Sequence, residues 1–167
     1  MEKRDLYDIN RNLTGKTILK GEKIPQNNYI VVVLVFIQNS KNEFLIQKRS
    51  PQKQGKYAST GGHPKSGETS IEGMITEIKE ELGLEVKKEE LNLIHSGRSD
   101  ETQVFFDIYY LKKDFDIKDL TLQKEEVDFA NWYSIDEIKQ FIQDELFFKN
   151  HEDEFFRTLD FLGSQEN

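Results

Sequence analysis

The sequence predicts an α/β fold, a mixed central sheet flanked by helices, and three observations carry that expectation. β-branched and aromatic runs of strand length recur along the chain. Thr69-x-x-Glu72 and Ser134-x-x-Glu137 each form a capping-box pattern ahead of an apolar, helically spaced segment. Strand-like and helix-like segments are interleaved without strict alternation, which suits a mixed sheet better than a purely parallel one.

Taken in order, Met1–Gln26 carries turn signals at Asn10-Arg11-Asn12, Thr14-Gly15, Gly21 and Pro25, and reads as a hairpin or arm ahead of the core. Tyr29–Ile37 is too uniformly apolar for a half-exposed strand, so it is expected to be buried on both faces. Asn39–Asn42 makes a turn and Glu43–Lys48 returns as a strand, which predicts a hairpin. Ser50–Gly67 is punctuated by Pro51, Gly55, Gly61, Gly62, Pro64 and Gly67, and a loop of that length inside a compact domain is more often functional than idle. A helix follows over Thr69–Leu82, with Gly83 as its stop. Strands are expected at Leu91–Ser96, Val104–Leu111 and Asp128–Tyr133, a helix from Ser134 to about Gln143, and a final amphipathic helix over Glu152–Leu162. A single domain over residues 1–167 results: an arm (1–28), a core (29–143) and a C-terminal helical segment (144–167).

The composition narrows the function. Hydrophobic residues make up 36% of the chain and charged residues 32%, but 12 Phe and 6 Tyr argue for a packed core. The longest apolar run, Ile30–Ile37, is far short of the roughly 20 residues a membrane span needs, and the amino terminus lacks a signal peptide's apolar segment. With no cysteine there is no thiolate metal site and no cysteine nucleophile. A cytoplasmic protein without a membrane partner is expected. The net charge of −8, with no basic run, disfavours nucleic acid. It does not exclude a small phosphorylated substrate, because a bound cation can reverse the local field.

The helix over Thr69–Leu82 carries the chemistry. At about 100° per residue, Ile71, Met74, Ile75, Ile78 and Leu82 share one arc, while Glu77, Glu80 and Glu81 share another with Gly73. Like charges at these spacings oppose the helix by roughly 0.2–0.5 kcal/mol per pair. A hard divalent cation with oxygen ligands would resolve that repulsion. An ordinary acidic, solvated helix face would also produce the same letters. Gly73 on the acidic side leaves room for a loop or ligand to approach.

The preceding loop decides between these readings. From Gly62 the chain reads Gly62-x5-Glu68-x7-Thr76-Glu77-Ile78-x-Glu80-Glu81-x-Gly83-Leu84, and this closely resembles the Nudix box, G-x5-E-x7-R-E-U-x-E-E-x-G-U with U aliphatic. Every specified position over these 23 residues matches except the arginine, which is Thr76 here. Leu45–Arg49 resembles the strand that precedes the box, and Glu126–Trp132 with Ser134–Glu137 resembles the segment before the family's last core helix. The resemblance implies an α/β/α sandwich that hydrolyses a diphosphate bond with magnesium or manganese, usually in a nucleoside diphosphate linked to another moiety. It implies metal binding by Glu77, Glu80, Glu81 and the Gly61 carbonyl. Glu77 would also orient or deprotonate the attacking water, and Glu68 would support the helix glutamates. Glu126, or Glu125, stands where the family often places an additional base or ligand, a surface carboxylate being the plain alternative. Arg49, Lys48, Arg98 and Lys56 are candidates to meet substrate phosphates, with solvated surface as the alternative for each.

Thr76 cannot reproduce the charged, bidentate hydrogen bond of the family's arginine. Lys65 on the loop and Lys79 on the helix are the cations placed to compensate. The same departure keeps open a catalytically silent, nucleotide-binding sensor. Gly61-Gly62-His63-Pro64 also resembles the Cys-x-His-Pro segment of isopentenyl-diphosphate isomerases, and the Asp5–Lys16 arm resembles an extension of isomerase-like Nudix proteins. The isomerase cysteine would fall at Gly61, so that reaction is excluded on chemistry, and His63 reads as a loop hydrogen-bonding residue before a metal ligand. Phe147, Phe148, Phe155 and Phe156 are read as core, with a homodimer face or a substrate wall as alternatives. Tyr7, Tyr29 and Tyr57 are candidate base-stacking platforms.

Overall fold

The computed structural model describes residues 2–165. The amino-terminal segment is a two-stranded antiparallel hairpin, β1 (Lys3–Tyr7) with β2 (Leu13–Leu19). The core is a seven-stranded mixed sheet made of β3 (Ile30–Gln38), β4 (Phe44–Arg49), β5 (Tyr57–Ala58), β6 (Thr60–Gly62), β7 (Asn92–Ser99), β8 (Val104–Lys112) and β9 (Val127–Tyr133). Helices α1 (Ser70–Leu82), α2 (Ile135–Gln143) and α3 (Glu152–Gln165) cover it.

Alternation along β3 builds two cores from one strand. Val31, Val33, Val35 and Ile37 face Met74, Ile78 and Leu82 of α1, while Leu34 and Phe36 face Ile138 of α2 and Phe155 of α3. The long apolar run is therefore a strand with both faces buried, as expected, and the layers are helix, sheet, helix. Among the described residues no helix is long and apolar enough to cross a membrane.

The predicted hairpin between β3 and β4 needs correction. The two strands share a single rung, Gln38↔Phe44, and then part. β3 runs parallel to β8 over nine rungs, from Ile30↔Val104 to Gln38↔Lys112, while β4 takes β9 as its antiparallel partner. The sheet thus opens into two wings, and β6 pairs with β3 along the gap as Val33↔Gly62, Leu34↔Gly61 and Val35↔Thr60. The chain just past β6, together with α1, is held over that opening.

Both capping boxes form. Thr69 Oγ1 accepts from Glu72 N and the Glu72 carboxylate accepts from Thr69 N, with the same exchange between Ser134 and Glu137. Gly83 ends α1 at φ 68°, a left-handed position where glycine is unstrained, and its N–H reaches Lys79 O at 2.9 Å. Among the C-terminal aromatics, Phe147 and Phe155 are core as read from the sequence. Phe156 is 41% exposed, and Phe148 is half-buried under Arg49 rather than in the core.

Candidate functional site

Helix α1 buries one of its three box glutamates completely. Glu81 is 5% exposed, and its Oε1 accepts from Gln47 Nε2 of β4 at 3.3 Å. Gln47 is itself fixed by Thr60 Oγ1 of β6, also at 3.3 Å. Glu81 Oε2 is buried without a partner. A buried carboxylate oxygen with nothing bonded to it is costly unless a proton or a cation supplies the missing interaction.

Glu77 lies one turn back along the same face, half-buried against the backbone of Gly62. A Cβ on Gly62 would stand 2.3 Å from Glu77 Cδ, so any side chain there would push this carboxylate aside. Gly73 serves a similar purpose, because a Cβ there would strike Pro64 at 2.7 Å. The loop approach expected at Gly73 is therefore made by Pro64.

Burial, followed by the neighbouring Glu80 charge, pushes Glu77 up to about 7. Burial, followed by the Glu77 charge, pushes Glu81 up to about 8. Glu80 stands on the rim of the site, where its carboxylate pairs with Lys65 Nζ at 2.7 Å. Among the described residues no three His, Asp or Glu side chains close around a common point. The reason is visible in the side chains: Lys65 draws Glu80 outward while Gln47 holds Glu81 inward. The donor set still suits a hard divalent cation. It consists of carboxylate oxygens, one of them buried and unpaired, with the loop backbone at Gly61 and Gly62 beside it.

Glu68, expected to support the helix glutamates from the loop, is bonded to both loop and helix. Its oxygens accept from Lys65 N at 2.7 Å and from Thr76 Oγ1 at 2.6 Å, so it ties the loop to the helix and is not bonded to the other glutamates. Thr76 thereby keeps a shorter version of the bridge its position implies. Of the two cations proposed to compensate, Lys65 engages Glu80, whereas Lys79 pairs with Glu85 at 3.1 Å.

Outside the box, Glu126 rather than Glu125 faces the site, since its charge is felt by both Glu81 and Arg49. Lys53 holds it at 3.5 Å. Arg49 stacks on the Phe148 ring at 4.0 Å, has one terminal guanidinium nitrogen buried without a partner, and lies within reach of the Glu81 charge. The three other phosphate candidates are not brought to the site. Lys48 follows Phe44 and Ile46 onto the opposite face of the sheet, where its ammonium sits 4.9 Å from the Tyr57 ring and 5.8 Å from that of Phe129. Arg98 lies on β7 and is paired with Asp100 at 2.8 Å. Lys56 is taken by the carbonyl of Glu145. Tyr57 stacks on Phe141 at 4.0 Å and Tyr29 is core, so neither is a free platform.

Sequence reasoning missed Gln47, the residue that fixes Glu81. Its signal was the alternation Leu45, Gln47, Arg49, which sets a polar residue on the α1 face of a buried strand. It also missed the tie beneath the start of α1. There the buried Asp107 accepts from Arg11 at 2.8 Å, from Ser96 Oγ at 2.7 Å and from Ser70 Oγ. These hydrogen bonds hold Asp107 below its usual carboxylate range against the opposing effect of burial.

Comparison with known proteins shows the family and the fold. A model of the NUDIX domain matches residues 28–158. An uncharacterized Nudix hydrolase of Listeria monocytogenes is 38% identical over 143 residues, covering 83% of each chain. One of Listeria innocua is 41% identical over 132 residues, covering 76% of each. A crystal structure from Deinococcus radiodurans superposes with a TM-score of 0.76 over 94% of this chain and 98% of its own, at 23% identity, which speaks to the fold.

Proposed function

This chain belongs to the Nudix family of hydrolases, enzymes acting on phosphorus-containing anhydrides, and on that premise we propose that it cleaves a diphosphate bond in a small metabolite with magnesium or manganese. The observation that carries the reading is the unpaired, buried Oε2 of Glu81 beside Glu77. A helix does not gain stability from burying two coupled carboxylates, and a divalent cation removes the cost.

Glu77, Glu80 and Glu81, with the Gly61 carbonyl, are the residues that would hold the metal; Glu80 joins them on release from Lys65. Once bound, the ion supplies charge compensation for the phosphate oxygens and acidifies water. Gln47 keeps Glu81 aimed along one direction, and Gly62 keeps the loop close enough to exclude bulk water from Glu77. Glu77 is the group assigned to orient the attacking water and accept its proton as the bridging P–O bond breaks. Glu126 is the alternative base. Arg49 is placed to neutralise a non-bridging phosphate oxygen, and its aromatic neighbour Phe148 offers a wall to whatever the phosphate carries.

A nucleoside diphosphate linked to another moiety is the substrate class proposed, from family membership. The amino-terminal hairpin and Gly61-Gly62-His63-Pro64 support a place in the isomerase-like branch, without its cysteine chemistry.

The test is phosphate or nucleotide release from a panel of nucleoside and non-nucleotide diphosphates, with magnesium, with EDTA, and with the Glu80→Gln variant. Activity lost in both controls supports metal-dependent hydrolysis at α1. Turnover confined to non-nucleotide diphosphates rejects the substrate class. No turnover at all, with magnesium-dependent nucleotide binding intact, replaces the enzyme reading by that of a nucleotide-binding sensor.

A further inference from the structure

The box loop is gripped from outside the box. Lys3 O of β1 accepts from Ser66 N at 2.8 Å, and the Asp5 carboxylate accepts from Ser66 Oγ at 2.6 Å and from Gly67 N at 3.0 Å. At the far turn of the same hairpin, Arg11 reaches Asp107, which also receives Ser70 at the start of α1. The hairpin is therefore fastened at both ends of the stretch that joins the loop to the helix.

Between these fastenings β1 carries Arg4 inward. Arg4, Pro64, Lys65 and Glu68 line a small cavity of about 10 Å3, close to the room one water needs. Arg4 Nε is buried and has no partner. Among the described residues no carboxylate closes an ion pair with this guanidinium. Its charge is nevertheless felt by His63 of the loop, and it feels that of Glu2 beside it and then that of Glu77 on the helix. The hairpin thus delivers a cation to the edge of the glutamate site without bonding it to any glutamate.

A guanidinium has five donors, and leaving one buried and unmet costs about 1–3 kcal/mol. A residue anchoring the hairpin would have spent its donors on the loop, as Asp5 spends its acceptors. Lys65, the other cation here, is already engaged by Glu80, and Thr76 brings no charge. The two terminal nitrogens of Arg4 are neither buried nor bonded among the described residues, and they are the donors left open to an anionic acceptor from outside the chain. We infer that Arg4 is a phosphate-binding residue of the hydrolase site, donating to a non-bridging oxygen of the substrate's diphosphate. The inference rests on the hydrolase reading for the identity of that anion and adds the hairpin, which the motif does not contain, to the binding machinery.

Methylenediphosphonate, whose P–C–P linkage resists hydrolysis, separates binding from turnover. Its affinity is measured by calorimetry with magnesium for the wild type, Arg4→Gln, Arg4→Lys and Asp5→Asn, alongside melting temperatures and steady-state kinetics on the best substrate of the panel. Arg4→Gln is expected to weaken binding and raise KM by about tenfold while kcat changes by less than about threefold. Arg4→Lys restores part of the affinity, and Arg4→Gln melts no lower than wild type. Unchanged affinity in Arg4→Gln overturns the inference and leaves the hydrolase reading intact. So does an Arg4→Gln loss matched by Asp5→Asn and by a lowered melting temperature, which marks Arg4 as a hairpin anchor only. A wild type that does not bind methylenediphosphonate also overturns it. A wild type that binds through Arg4 but turns over nothing preserves the inference and defeats the hydrolase.

Discussion

Replacing Glu81 by glutamine should stabilise the metal-free protein at alkaline pH while removing its activity. Burial and the Glu77 charge raise the Glu81 carboxyl from 4.5 to about 8 in the fold. A carboxyl with a raised folded-state pKa contributes stability that is fully present below its unfolded pKa. That contribution is lost as pH climbs through the folded value. In EDTA the wild type should therefore melt highest near pH 5 and lose stability up to about pH 8. At about 1.4 kcal/mol per pH unit, ionising Glu81 at pH 8 opposes folding by about 4 kcal/mol. Glutamine removes that penalty, but its amide nitrogen inherits the unpaired position of Oε2 and returns about 1–3 kcal/mol. The net gain expected is about 2 kcal/mol at pH 8, or about 4–8 °C for a chain of this size. Thermal unfolding of wild type and Glu81→Gln in EDTA, from pH 5 to pH 9, reads it directly. A wild-type curve that rises with pH, or a variant no more stable than wild type at pH 8, would refute the account of Glu81 as a buried carboxylate awaiting a cation. Magnesium should cancel the pH dependence in the wild type and leave the variant unaffected.

Three further outcomes follow from the same structure. Gly62→Ala displaces the end of the flexible Glu77 side chain, since its Cβ would fall 2.3 Å from Cδ. The expected result is a fall in kcat of at least about tenfold with melting changed by only a few degrees, measured on one protein preparation. Asp107→Asn breaks a buried charge network with Arg11, Ser70 and Ser96, and should cost about 3 kcal/mol in urea unfolding; a loss below about 1 kcal/mol would mean the network is relaxed by water. Lys48→Met should leave KM within about twofold of wild type, because Lys48 lies over Tyr57 and Phe129 on the face away from the glutamates.

The sequence revealed more of the helix than of its surroundings. The α1 caps, the apolar stripe of Met74, Ile78 and Leu82, and the acidic arc were legible because each obeys a local period or a local hydrogen-bond rule. The unequal fates of Glu77, Glu80 and Glu81 were not. They depend on Gln47 from a neighbouring strand and on Lys65 from the loop, contacts no helical wheel contains. Lys48 was legible in principle, since Phe44 and Ile46 set its face, but adjacency to Arg49 in sequence obscured a separation imposed by the pleat. Arg98 failed for a different reason: it is consumed by Asp100, two residues away, and a charge that near competes with any substrate. Arg4 and Arg11 were not legible as site residues because a hairpin with scattered turns carries no motif. Its importance comes from where β1 lies across the box loop.

A hairpin of one rung cannot nucleate folding. The turn at Asn39–Asn42 can close early, but it propagates only to Gln38↔Phe44. Beyond three rungs with β6, the strand that enters it, β3, must then wait for Val104–Lys112, with the whole intervening chain as the loop to be closed. Glu68, Glu77, Glu80 and Glu81 lie inside that loop. A nascent chain halted on the ribosome before residue 104 would already contain the complete Nudix box and still lack the β3–β8 pairing that completes the sheet under α1. The catalytic motif is finished in synthesis well before the platform that gives it a shape.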